Sequence, residues 1–192
     1  MITAIVYVSH AGHTKQYARI LGHKMKLPVF DLKTAKKKLK KGSSVFYLGW
    51  LMGGNISGYK KAKKIFRIEG LCGVGMATGD SQIGDMKKTN AIPEGLPLFY
   101  LQGGFESEKL RGIYRLMMNV MKKTVGKKLA GKENRTPDEE EMLHLLTQGE
   151  SKVSFRNLDG IIAWYSRVKA ESRGEGSARR ADALPHVSCG NG

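Results

Sequence analysis

The sequence is short of cysteine, of acidic residues in its first third, and of long apolar runs, and each shortage excludes something. Its two cysteines, Cys72 and Cys189, stand far apart and offer neither a disulfide framework nor a spaced metal site. A thiol-reducing compartment, the cytoplasm, is therefore the expected location. No apolar run approaches the roughly 20 residues that cross a bilayer. The opening segment Met1–Val8 has no basic flank and breaks at Ser9, so it reads as a buried strand and not as a leader. Nucleotide signatures are missing too: neither GxxxxGK[ST] nor GxGxxG follows that strand. Ser9 has no nucleophile elbow around it, and His10 and His13 lack the further partners a metal would need.

What is present describes an ordinary globular chain of one domain. It has 192 residues, 41% of them hydrophobic and 26% charged. The net charge of +16 is unevenly placed. Residues 1–67 hold 15 Lys and Arg against a single acid, Asp31, whereas the other 125 residues carry 18 basic and 16 acidic side chains. The densest run is Lys36-Lys37-Lys38-Leu39-Lys40-Lys41. A field of this sign draws phosphates, anionic headgroups and acidic proteins over about a Debye length.

Periodicity supplies the architecture. Ile2–Val8 and Val45–Leu48 are continuously apolar, as central parallel strands covered on both faces must be. Val29–Leu32, Leu71–Ala77 and Leu96–Leu101 complete five expected strands. Helical patterns fall at about Thr14–Met25, Thr34–Lys41, Tyr59–Phe66, Ser107–Leu129, Thr136–Thr147 and Leu158–Lys169. Thr136-Pro137-Asp138-Glu139 is a helix start, with a capping Thr, a first-turn Pro and acids at the positive dipole end. Alternating strands and helices imply βαβ units: a three-layer, doubly wound, five-stranded parallel sheet within residues 1–170. Residues 171–192, rich in Ser, Gly and Arg, read as a disordered tail.

In such a sheet ligands bind beyond the carboxyl ends of the strands, and three unusual loops fall there. Ser9-His10-Ala11-Gly12-His13-Thr14 precedes a helix, so hydroxyls, backbone N–H groups and the positive helix end converge on an anion such as a phosphate monoester. Gly49-Trp50-Leu51-Met52-Gly53-Gly54 places an indole at a strand end, where it can stack on a flat heteroaromatic ring. Gln102-Gly103-Gly104 again supplies small residues where a ring edge must be approached. A phosphorylated planar cofactor follows from the three together, and in this architecture that is FMN. Cys72 in its strand reads as inert core, and His23 as a solvent-facing helix residue.

The first loop resembles the flavodoxin phosphate loop, [ST]-x-[TS]-G-x-T, with Ala11 standing where the pattern has a hydroxyl. Over residues 1–169 the chain looks most like the flavodoxin-like branch that includes menaquinone-dependent protoporphyrinogen IX dehydrogenase. There a Gly-containing loop leads into a basic, Met-rich helix, as Gly103-Gly104-Phe105 leads into Lys109 to Lys123 here. The resemblance implies a flavodoxin-like fold and FMN.

Charge colours that expectation. A positive field stabilises the anionic reduced flavin and raises its potential, each ~59 mV per electron being about 1.4 kcal/mol. A dehydrogenase or quinone-coupled role suits this better than a low-potential shuttle, with a redox partner protein or a quinone as partner. The stripe Leu110, Ile113, Tyr114, Met117, Met118, Met121 and Val125, flanked by Lys and Arg, either packs on the sheet or lies on an anionic membrane surface. The competing class is a non-catalytic basic module binding nucleic acid or membrane. Aromatics are not interleaved with the Lys36–Lys41 run, which argues against nucleic acid.

Overall fold

Each apolar run becomes a strand because the helix after it returns the chain across the sheet. The computed structural model describes residues 1–77, 81–105 and 112–181. In chain order the elements begin with β1 (Ala4–Val8), α1 (His13–Met25), β2 (Val29–Asp31), α2 (Leu32–Lys38), β3 (Ser44–Met52), β4 (Asn55–Ile56) and α3 (Tyr59–Ala62). Then come β5 (Arg67–Gly75), α4 (Ser81–Asn90), β6 (Leu98–Gln102) and β7 (Gly104–Phe105). A helical excursion follows: α5 (Ile113–Met121), a π-helical turn (Lys122–Gly126), α6 (Lys127–Ala130) and α7 (Pro137–Gln148). β8 (Glu150–Ser151), a 3₁₀ turn (Arg156–Leu158) and α8 (Asp159–Ala181) end the described chain.

Five parallel strands stand in the order β2-β1-β3-β5-β6, with β4 folded back antiparallel on β3. This is the expected doubly wound sheet, and its order reverses between β1 and β3. Strand alternation feeds two separate cores. Ile5, Phe46, Leu48, Cys72 and Leu101 pack with α1, the 3₁₀ turn and α8 through Tyr17, Leu21, Leu158 and Ile161. Val6, Val45, Tyr47 and Leu71 pack on the opposite face with Leu32, Ala35, Tyr59, Ala62 and Met86 of α2, α3 and α4. Three layers result.

Several boundaries moved. The α3 helix stops at Ala62 instead of Phe66, and β5 starts at Arg67 instead of Leu71. The early start is masked in the sequence by Arg67 and Glu69, which pair with each other at 2.8 Å. Helix α4 carries no expectation from the sequence: Met86 is its buried apolar side chain and Gly84 interrupts its pattern. Helix α8 continues to Ala181, beyond its expected end at Lys169, so the first part of the expected tail is helical. Residues 182–192, with Cys189, and the expected helix start at 107–111, with Lys109, Leu110 and Arg111, lie outside the described residues. The Thr136 start forms as expected: its hydroxyl accepts from Glu139 N, and the Glu139 carboxylate accepts from Thr136 N at 3.0 Å.

Candidate functional site

The loop after β1 turns into α1 at Gly12, whose φ of 105° lies in the left-handed region that glycine enters without strain. No side chain caps this 13-residue helix and no acid stands in its first turn, which leaves its N-terminal amide groups to the loop or to an anion. Ser9 Oγ is shut off from solvent with no hydrogen-bond partner, an arrangement that costs free energy unless something binds there. His13 and Thr14 are buried, at 6% and 2% exposure. Ala11 packs with Met76, Met121 and Met142 around buried Leu145 and Leu146. A hydroxyl there would face an apolar wall.

The second expected loop is largely strand. β3 runs on through Trp50 to Met52, and Gly53 and Gly54, with φ of 54° and 75°, close a two-residue hairpin onto β4. Asn90, at the end of α4 and 1% exposed, fastens the hairpin. Its Oδ1 accepts from Ile56 N at 2.9 Å, and its Nδ2 donates to the carbonyls of Gly54 and Met86, both at 2.8 Å. Trp50 is thereby held against His10, the ring centroids 5.5 Å apart and the planes tilted by 32°.

At the third position, Gly103 gives space: a Cβ there would stand 2.9 Å from Val74 Cγ1 and 3.1 Å from His13 Cβ. Gly104 pairs with Ser151 in the β7–β8 ladder. Tyr17 ties the region together from α1. Its hydroxyl donates to the Gln102 carbonyl at 2.7 Å and accepts from Asn157 Nδ2 at 2.7 Å and Ser154 N at 3.3 Å.

These segments surround one cavity of about 610 Å³, a size typical of small-molecule sites. Of the expected residues, His10, Ala11, His13, Thr14, Trp50, Leu51, Met52, Gly53, Gly103 and Gly104 line it. Four do not. Ser9 and Gly12 line a second groove against the same loop. Gly49 is buried in β3, where a Cβ would meet Ile56 Cγ2 and Ser57 O at 2.6 Å, so it serves packing. Gln102 turns away to donate to Glu141 Oε1 at 3.0 Å and Met76 O at 3.3 Å, and so pins α7.

The sequence reading missed the other walls. Val74, Gly75, Met76 and Ala77 come from the end of β5, and Gln82 and Asp85 from α4. Val120, Met121, Thr124 and Met142 come from the helical excursion. The Met-rich stretch was visible, but only tertiary structure brings it over the carboxyl edge of the sheet. Among stripe residues with described side chains, Met121 joins the small cluster on α7 while Val125 stays exposed; Leu116 and Val120 beside them are also exposed. The π-helical turn at Lys122–Gly126 starts beside Met121, and such turns are frequent at functional sites.

Burial pushes the Tyr100 phenol well up; its hydroxyl donates to Ala77 O at 2.6 Å and steadies the cavity floor. Burial likewise raises the Cys72 thiol, which makes it core and not nucleophile, as expected. His23 is exposed, also as expected. Among the described residues there is no cluster of three or more His, Cys, Asp or Glu that could hold a metal, and no helix long and apolar enough to cross a membrane. No protein-family model matches the chain, and neither does any curated protein or solved structure.

Proposed function

We propose that the chain is an FMN-binding, flavodoxin-like redox protein, the cavity at the carboxyl edge of its sheet being the flavin site. One observation carries this reading: a single cavity at the reversal point of strand order, lined by the segments that follow β1, β3, β5 and β6. Supporting it, the loop Ser9–Thr14 leads into an uncapped helix start that meets the cavity at His13 and Thr14, and the amide groups of such a start are donors a phosphate monoester takes. Trp50 offers a ring face, and at Gly53, where a Cβ would meet nothing within 4 Å, the backbone is open to a ring edge. Val120, Met121 and Met142 give the cavity an apolar wall.

Bound FMN would supply electron transfer, and the chain's own residues would hold it, shield it and set the surrounding potential. The excess of cations in residues 1–67 favours a reduced, anionic ring and hence a raised potential. This fits flavin-dependent dehydrogenation or electron transfer with a redox protein or quinone, as the resemblance to the protoporphyrinogen dehydrogenase branch suggests. Exposed Leu116 and Val120, close in sequence to Lys122 and Lys123, suit cytoplasmic residence with peripheral contact at an anionic membrane face. Co-sedimentation with vesicles should then rise with anionic lipid; indifference to lipid charge removes the membrane contact.

The test of the cofactor is direct. Protein mixed with FMN and freed of excess flavin should keep a perturbed flavin absorption, and Trp50→Ala should weaken retention about tenfold or more, about 1.4 kcal/mol. A colourless protein would overturn the flavin reading and favour the basic binding module.

A further inference from the structure

The loop Ser9–Gly12 borders two cavities, which share His10 and Ala11, and the second has a different chemistry from the first. It is a groove of about 770 Å³ floored by Tyr7, Val8, Ser9, Gly12 and Leu32. Lysines from three helices converge on it: Lys15 from α1, Lys33 and Lys36 from α2, and Lys61 from α3. Lys33 and Lys36 are three apart and share a helix face. The one acid in the groove, Asp31, is already engaged: it accepts from Thr34 N at 3.0 Å and from Thr34 Oγ1 at 2.6 Å. Among the described residues none of the four lysines is ion-paired with a carboxylate, whereas nearby Lys38 and Lys63 rest on the rings of Phe30 and Tyr59. Ser9, whose hydroxyl has no partner, lines this groove and not the first cavity.

We propose that this groove is a second, separate anion site, which takes a ligand carrying a phosphate or diphosphate group between the lysines of α1, α2 and α3. Four ammonium groups against one engaged carboxylate leave a concave surface of net charge +3, better matched by a multiply charged phosphate than by a single carboxylate. The inference does not depend on the flavin reading, because Lys33, Lys36 and Lys61 line no part of the first cavity. The phosphate group belongs either to a soluble compound or to a lipid headgroup, and the experiment separates these sources.

Inorganic pyrophosphate is titrated calorimetrically into the full chain and into two charge-reversed variants, Lys36→Glu/Lys61→Glu in the groove and Lys40→Glu/Lys41→Glu outside it. All four positions are exposed, so neither variant threatens the fold. The expected result is saturable binding by the parent chain, weakened on the order of tenfold or more by the groove pair and much less by the outer pair. Equal losses in both variants would reduce the effect to general field and overturn the site, as would no binding by the parent. Loss of FMN retention in the groove pair would make the groove the flavin's own phosphate seat and overturn its separateness. Vesicles of phosphatidylcholine with and without phosphatidylglycerol settle the source: capture by the anionic vesicles, lost in the groove pair and displaced by pyrophosphate, supports a headgroup; pyrophosphate binding without capture supports a soluble ligand.

Discussion

The sheet with α1–α4 and α8 is built unlike the excursion between β6 and α8. In the first region each strand faces two helical layers, and Tyr17, Tyr47, Tyr59, Phe46 and Ile5 are all below 2% exposed. In the second, the buried hydrophobic side chains among the described residues are Leu145, Leu146 and Leu158, while Leu116, Val120 and Phe155 are 65%, 54% and 64% exposed. Polar devices hold it instead: the capping box of α7, the Lys132–Glu139 pair at 2.7 Å, the short β7–β8 ladder and the Gln102–Glu141 bond. Both regions wall the same cavity. The sheet therefore fixes where the site is, and the excursion decides how it is covered at a low cost in local stability.

That contrast can be broken most forcefully in the sheet. Phe46, which touches Phe99 and Trp164 with ring centroids 6.1 and 5.6 Å away, should cost about 3–5 kcal/mol when cut to alanine. Urea denaturation checks this, and a loss under 1 kcal/mol would mean that the sheet is not the stable half. Next comes Asn90→Ala, which strands Ile56 N and two carbonyls and should cost roughly 1–3 kcal/mol. It should also loosen the Trp50 hairpin, visible as increased indole quenching by iodide. Thr136→Ala sits lower, at about 1 kcal/mol, and hydrogen exchange should show its effect in α7 and not in β3.

A smaller effect concerns pH. The Lys132 ammonium and the Thr136 amide hold the Glu139 carboxyl below its ordinary range. A carboxyl whose native pKa is lowered stabilises the fold above its unfolded value and loses that contribution as pH falls through the lowered native one. Glu139→Gln should therefore destabilise α7 at neutral pH and become indistinguishable from the parent in strong acid. Smallest of all, Leu116→Gln on the exposed face should change stability by less than about 0.5 kcal/mol. A larger loss would show that this face is covered.

The same division explains what could be read from the sequence. Continuous apolar runs at Ile2–Val8 and Val45–Leu48 have one physical use, a strand buried on both faces, so the sheet and its layers were legible. Helix α4 was not, because one buried methionine and one buried asparagine leave little periodicity. The hairpin at Gly53-Gly54 had its turn signal, yet the apolar Trp50-Leu51-Met52 read equally well as a loop. In the site, the loops after β1, β3 and β6 were legible because strand order fixes their ends at one edge. Gln102 and Gly49 were misplaced because adjacency along the chain does not decide which way a side chain turns. Met121 and Met142 reach the cavity only through the path of the excursion, which no local pattern encodes.

The central claim is that the cavity shared by the two regions holds a flavin, and an absorption spectrum tests it most directly. The protein is incubated with FMN, freed of unbound flavin, and compared with Trp50→Ala of equal circular dichroism. The account predicts close to one retained flavin per chain, with shifted and sharpened bands, and a marked loss in the variant. A folded parent protein that emerges colourless would contradict it.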